Sequence, residues 1–175
     1  MLNTEIKQDV PQSGSLTDQA YSKLEELIVT IQLKPGAVLS ESALAAQLGI
    51  GRTPIREALH RLAREGLVVI LPRRGILVSE INIHSQLRLL EVRRKIEEVM
   101  VEAATRRATT EERERFRQIA SGMRDCVATG DDMAFIRFDD QFNNLVSESC
   151  RNEFAAKAIG LTAGLSRRFW FVHNK

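Results

Sequence analysis

The chain has 175 residues, 43% hydrophobic and 27% charged, the composition of a folded, soluble protein of one ordinary or two small domains. No apolar run approaches the roughly 20 residues of a membrane span, residues 1–15 lack the apolar centre of a secretory signal, and two cysteines are too few for a disulfide framework. The net charge of +2 excludes a nucleic-acid binder recognisable by bulk charge alone, yet between positions 52 and 74 six arginines stand against two glutamates, with no lysine among them.

In chain order, residues 1–15 are polar, carry Pro11 and a Ser13-Gly14-Ser15 run, and read as a mobile arm. Thr17 is expected to cap a first helix whose inner face carries Ala20, Leu24, Leu27, Ile28 and Ile31, with Leu16 and Tyr21 as a hydrophobic staple. Pro35-Gly36 marks a turn. Ser40 caps a second helix that buries Leu44 and Leu48 and stops at Gly49. Thr53 as cap and Pro54 at the first helical position predict a third helix with Ile55, Leu59 and Leu62 inward, ended by Gly66. The β-rich runs 67–71 and 75–79, separated by Pro72-Arg73-Arg74, predict a hairpin with a basic tip.

From Ile83 onward the periodicity is helical throughout. One long helix is predicted to bury Leu89, Val92, Ile96, Val99 and Ala103, with Glu91–Lys95 and Glu102–Arg106 pairs outside. Thr110 is the expected cap of a second, with Phe116, Ile119, Met123 and Val127 inward. Gly130-Asp131 separates it from a third that carries Phe135, Phe138, Phe142 and Leu145. A fourth, from near Asn152, shows Phe154, Ala158, Leu161, Leu165, Phe169 and Val172. The fold class is therefore mainly α: an N-terminal winged helix-turn-helix of three helices plus a β-hairpin, then an all-α helical bundle. The expected units are an arm over 1–15, a DNA-binding domain over 16–80 and a helical domain over 83–175.

A helix-turn-helix needs a supporting helix, a tight turn and a second helix whose N-terminus enters the major groove. Residues 40–66 supply all three, and Arg52, Thr53 and Arg56 stand at the groove end. A guanidinium can grip guanine by a bidentate fork, whereas a single helical arginine, such as Arg61 or Arg64, is more commonly a solvated surface charge. The stretch LSESALAAQLGIGRTPIREALHRLAREGLVVILPRRG closely resembles the N-terminal signature of the GntR family of bacterial regulators. That resemblance, over residues 17–80, implies a homodimer on palindromic double-stranded operator DNA. Arg52, Thr53 and Arg56 would be recognition-helix contacts, and Arg74 and Gly75 wing contacts. Gly51 replaces the family's usual serine, and Ser42 a basic residue found in some relatives.

The runs LRLLEVRRKIEEVMVEAATRRAT and FIRFDDQFNNLVSESCRNEF resemble the FadR-like, or FCD, effector domain attached to many such regulators. The resemblance implies a dimerising bundle that binds a small metabolite, often a carboxylic acid, and in many members a divalent metal such as zinc or nickel. Arg93, Asp139 and Asn143 are the corresponding effector residues, with Asp139 and Asn143 the candidate metal ligands. Asn143 stands where the family has histidine, and asparagine is the weaker ligand. Two readings of Asp139 stand side by side, metal ligand or solvated carboxylate. Arg93 has two compatible ones, effector contact and i,i+4 partner of Glu97. Phe135, Phe138, Phe142, Phe169 and Trp170 read as core or dimer interface.

The expected function is that of a cytoplasmic, metabolite-controlled transcriptional regulator, a repressor by analogy with the family, with Cys126 and Cys150 as reduced buried thiols. The domain ends about two helices short of the family's usual length, either as part of a longer chain or through loss of part of the cavity. An enzyme is the weaker alternative, because no nucleophile–base pair or phosphate-cradling glycine loop is present. A sequence-indifferent architectural DNA protein would differ by a steep salt slope without sequence preference.

Overall fold

The computed structural model describes residues 14–73 and 75–173; the expected arm, for residues 1–13, and the wing contact Arg74 lie outside the described residues. Helix α1 (Leu16–Val29) begins at Ser15, whose hydroxyl accepts from the Asp18 amide while the Asp18 carboxylate accepts in return, a capping box. The cap is thus Ser15 rather than Thr17. Leu16 becomes the first helical residue and is 58% exposed, so it staples nothing. Thr17 is left free to donate its hydroxyl to Glu57 at 2.6 Å. Ala20, Leu24 and Ile28 are completely buried on the inner face.

A two-residue strand β1 (Val38–Leu39), unforeseen from the sequence, leads into α2 (Glu41–Leu48), which Ser40 caps and Gly49 ends in the left-handed conformation at φ 65°. Helix α3 (Arg52–Arg64) starts two residues earlier than Thr53 and Pro54 suggested, with Gly51 in the cap position. Pro54 then falls in the first turn, where a missing N–H breaks no helical bond. Ile55, Ala58, Leu59 and Leu62 are fully buried, and together with α1, α2 and the sheet they make one core. Strands β2 (Val68–Leu71) and β3 (Gly75–Val78) form the expected hairpin. β1 adds to the far edge of β3, pairing Val38 with Leu77, so the antiparallel sheet has the order β1-β3-β2. β1 is too short to show alternation, which is why pattern reading passes over it.

The second half consists of α4 (Ile83–Arg107), α5 (Thr110–Thr129), α6 (Asp132–Ser149) and α7 (Glu153–His173). Thr109, not Thr110, caps α5, in a second capping box closed by Glu112. Several inward faces differ from those the hydropathy suggested. In α4 Ala103 is buried as expected, but Val92 and Val99 are 58% and 50% exposed, and Gln86, Arg93, Met100 and Ala104 are buried instead. Cys126 takes the inner place expected of Val127, and in α7 Ile159, Gly164 and Arg168 replace Phe154 and Leu161. In α4 and α7 the cause is burial of arginine: Arg93 sits inside paired with Glu97, and Arg168 inside with its guanidinium hydrogen-bonded to Ser79, which a hydropathy pattern scores as outward.

Helix α7 joins the halves by packing on α4 and α6 and also on α1. Leu165 adds to the core of the first half. Arg168, 2% exposed, donates to the Ser79 carbonyl at 2.9 Å and the Ser79 hydroxyl at 3.0 Å, fixing the segment that leaves the sheet. Both cysteines are buried free thiols. Among the described residues no helix is long and apolar enough to cross a membrane.

Candidate DNA-reading surface and ligand cavity

Core packing turns the opposite face of α3 outward, so Arg52, Thr53 and Arg56 are all exposed at its N-terminal end. No side chain caps this end, because Gly51 has none to offer, which leaves first-turn N–H groups available to an anion. Arg56 is not loose. Its Nε and Nη2 meet the Glu41 carboxylate at 2.9–3.1 Å, a fork that ties α3 to the start of α2. These hydrogen bonds hold the Glu41 carboxyl below its ordinary range. Gly75, at φ 95°, lets the chain turn back into β3, and Arg73 next to the hairpin tip is exposed, also with positive φ. The recognition end and the wing thus share the first half, as the sequence implied.

The second candidate site is a cavity of about 520 Å³ between α4, α6 and α7. Arg93, Asp139 and Asn143, singled out from the sequence, all line it. Arg93 forms the expected i,i+4 pair with Glu97 at 2.5 Å, donates to Thr162 at 3.2 Å and also faces the cavity. Asn143 donates its amide to the Asp139 backbone carbonyl at 2.8 Å and to the Asp139 carboxylate at 3.1 Å. Burial pushes the Asp139 carboxyl above its usual value, with the arginines opposing.

That arrangement limits what Asn143 could offer a metal: the Asp139 carbonyl can only accept, so the nitrogen of Asn143 faces it, and only the Asn143 amide oxygen keeps lone pairs for a cation. Among the described residues no group of three or more His, Cys, Asp or Glu is gathered to hold an ion. Sequence reasoning also missed wall residues: Phe135 and Trp170 stack at 5.0 Å and 17°, Phe169 stacks on His173 at 4.1 Å, and all four line the cavity rather than a closed core. Arg167 was missed as well. It faces this cavity and a smaller one of about 300 Å³ between the halves, and pairs with Glu25 of α1 and Asp140 of α6.

Comparison with known proteins bears on both sites. Residues 16–78 match the family described as bacterial regulatory proteins, gntR family, and residues 88–174 match the FCD domain. An HTH-type transcriptional regulator, YdhC of Bacillus subtilis, is 27% identical over 135 residues, 77% of this chain and 60% of that protein. The HTH-type transcriptional repressor RspR of Escherichia coli is 28% identical over 133 residues, 76% and 58%. A regulator from Streptomyces ambofaciens is 50% identical over 62 residues, 35% of this chain and 26% of its own. The chain thus spans about a quarter to three fifths of the length of these relatives. They are transcriptional regulators, not enzymes. In fold the chain is similar to E. coli McbR/YncC, with TM-score 0.77 and 23% identity over 91% of this chain and 77% of that one.

Proposed function

Because the chain belongs to the GntR family of bacterial regulatory proteins and carries an FCD domain, we propose that it is a sequence-specific DNA-binding transcriptional regulator controlled by a small organic acid. The observation that carries the reading is the exposed, uncapped start of α3, with Arg52, Thr53 and Arg56 beside a three-stranded wing. In this reading α3 enters the major groove, its guanidiniums reach guanine edges, and the first-turn N–H groups take a phosphate. Gly75 and Arg74 bring the wing tip to the adjoining backbone. A homodimer sets two such helices about one helical turn apart on a palindromic operator.

The helical half supplies control. A carboxylate entering the cavity would meet the Arg93 guanidinium, with Asn143 and Asp139 fixing its orientation. Arg167 and Arg168 of α7 bind the first half directly, so a ligand that shifts α7 shifts the DNA-reading helices with it. The regulator acts as a repressor in this reading, released when the ligand binds. No zinc or nickel is part of the scheme, given the donors that face the cavity.

The test is fluorescence anisotropy with DNA from upstream of its own gene, beside a shuffled duplex and an Arg52→Ala/Arg56→Ala variant at fixed salt. Tight binding lost with shuffling and in the variant is expected. Equal, salt-sensitive binding to both duplexes would refute sequence-specific reading.

A further inference from the structure

Around the cavity, the charged groups are not all paired. Arg93 is matched by Glu97, and Arg167 by both Glu25 and Asp140. Among the described residues Asp139 forms no ion pair within 4.0 Å; its carboxylate accepts from the Asn143 amide, and the Arg93 and Arg167 charges act on it only from beyond that distance. Both guanidiniums that line the cavity are therefore engaged, and Asp139 faces it without an ion pair. A half-buried carboxylate in that position calls for a cation. For a bare metal ion, no group of three or more His, Cys, Asp or Glu is gathered among the described residues. Next to Asp139 the wall is aromatic, with Phe135 stacked on Trp170 and Phe169 beside them. Aromatic faces attract organic cations and bury apolar bodies, and a 520 Å³ cavity is large enough for a small molecule.

We propose that this cavity takes an aromatic amino-acid-like zwitterion, its ammonium on Asp139, its carboxylate toward Arg93 and its ring against Phe135 and Trp170. The proposal rests on the reading of the helical half as an effector domain and adds a positive charge to the organic acid assigned above. Asp139 and Arg93 then divide the two ends of the ligand between them. The aromatic wall selects its body.

Trp170 is the sole tryptophan of the chain and forms part of that wall, so its fluorescence reports occupancy. The experiment titrates the full chain, with EDTA present, with L-phenylalanine, phenethylamine and 3-phenylpropionate, each against wild type and Asp139→Asn. L-Phenylalanine is expected to bind more tightly than either fragment. Asp139→Asn should weaken L-phenylalanine and phenethylamine by roughly tenfold or more and leave 3-phenylpropionate unchanged or tighter. The response to 3-phenylpropionate also checks that the variant is folded. If 3-phenylpropionate binds as well as L-phenylalanine and Asp139→Asn affects neither, the ammonium site is overturned while the organic-acid reading survives. If phenethylamine alone binds, and needs Asp139, the ammonium site stands and the organic-acid reading fails. Absence of any response, or a Trp170 change produced by zinc or nickel alone without EDTA, would overturn the proposal.

Discussion

Arg167 and Glu25 form an ion pair across 142 positions of sequence, which together with the exposed Arg137–Glu26 pair fastens the helical half to the first helix of the DNA-reading half. Both side chains are nearly buried, at 10% and 12% exposure. Burial pushes the Glu25 carboxyl up, and the Arg167 charge opposes that rise. Arg167→Met leaves Glu25 buried without its counter-charge, and a loss of about 3–5 kcal/mol is expected. Adding Glu25→Leu should recover much of it, because the pair is then replaced by apolar groups of similar size. Urea unfolding of both single variants and the double closes the cycle; strict additivity would mean that the two residues are not coupled.

Much of this architecture is legible in the sequence, and what escapes has a physical reason. Gly49, Gly66, Ser40 and the core residues Ile55, Leu59 and Leu62 announce the helix-turn-helix, because caps, stops and apolar spacing are local properties. The cavity is different. Resemblance points to Arg93 and Asp139, which line it, while Arg167 carries no local signal, since its partners Glu25 and Asp140 lie on other helices. Phe135 and Trp170 read as core or dimer interface for a related reason: hydropathy shows that a side chain is apolar, not whether it faces a packed interior or a void. The helix starts slipped by one or two residues wherever two hydroxyls or a glycine competed for the cap, as at Ser15 against Thr17 and Thr109 against Thr110.

The Arg56–Glu41 fork neutralises a guanidinium at the DNA-reading end before DNA arrives. On binding, the arginine must exchange a carboxylate for a base or a phosphate. Glu41→Ala releases it in advance, so non-specific affinity should rise and the plot of log K against log[salt] should steepen by about 0.9, the slope of one more phosphate contact. Anisotropy at four or five salt concentrations measures that slope directly. An unchanged slope would show that Arg56 stays on α2 in the complex.

The capping box at the start of α5 makes stability depend on acid. Glu112 accepts from the Thr109 amide at 2.9 Å and from Arg151 at 2.8 Å, and these contacts, the amide first, hold its carboxyl below the ordinary 4.5. The unfolded chain therefore takes up this proton before the native one does. The resulting stabilisation is present in full above the unfolded value and is lost as pH falls through the native one. Glu112→Gln should lower the melting temperature at pH 7, and the difference from wild type should shrink as the pH approaches 3. Thermal melts across pH 3–7 check it; a difference independent of pH would mean that the carboxylate's charge plays no part.

Two glycines four residues apart on α7 should respond oppositely to the same substitution. A Cβ built on Gly164 would lie 2.6 Å from Leu67 Cδ1 and 2.8 Å from Glu25 Oε1, and Leu67 is completely buried, so it has nowhere to retreat. Gly164→Ala must push α7 away from the first half, at a cost of about 1–3 kcal/mol. Gly160 is exposed and nothing lies within 4 Å of the corresponding position. There alanine only removes the conformational penalty of a helical glycine, and a gain of about 0.5–1 kcal/mol is expected. Both variants keep the helix, so paired chemical denaturation isolates the contact between the halves. If Gly164→Ala were as stabilising as Gly160→Ala, the close approach of α7 to Leu67 would not exist in solution, and the route from the cavity to the DNA-reading helices through that contact would go with it.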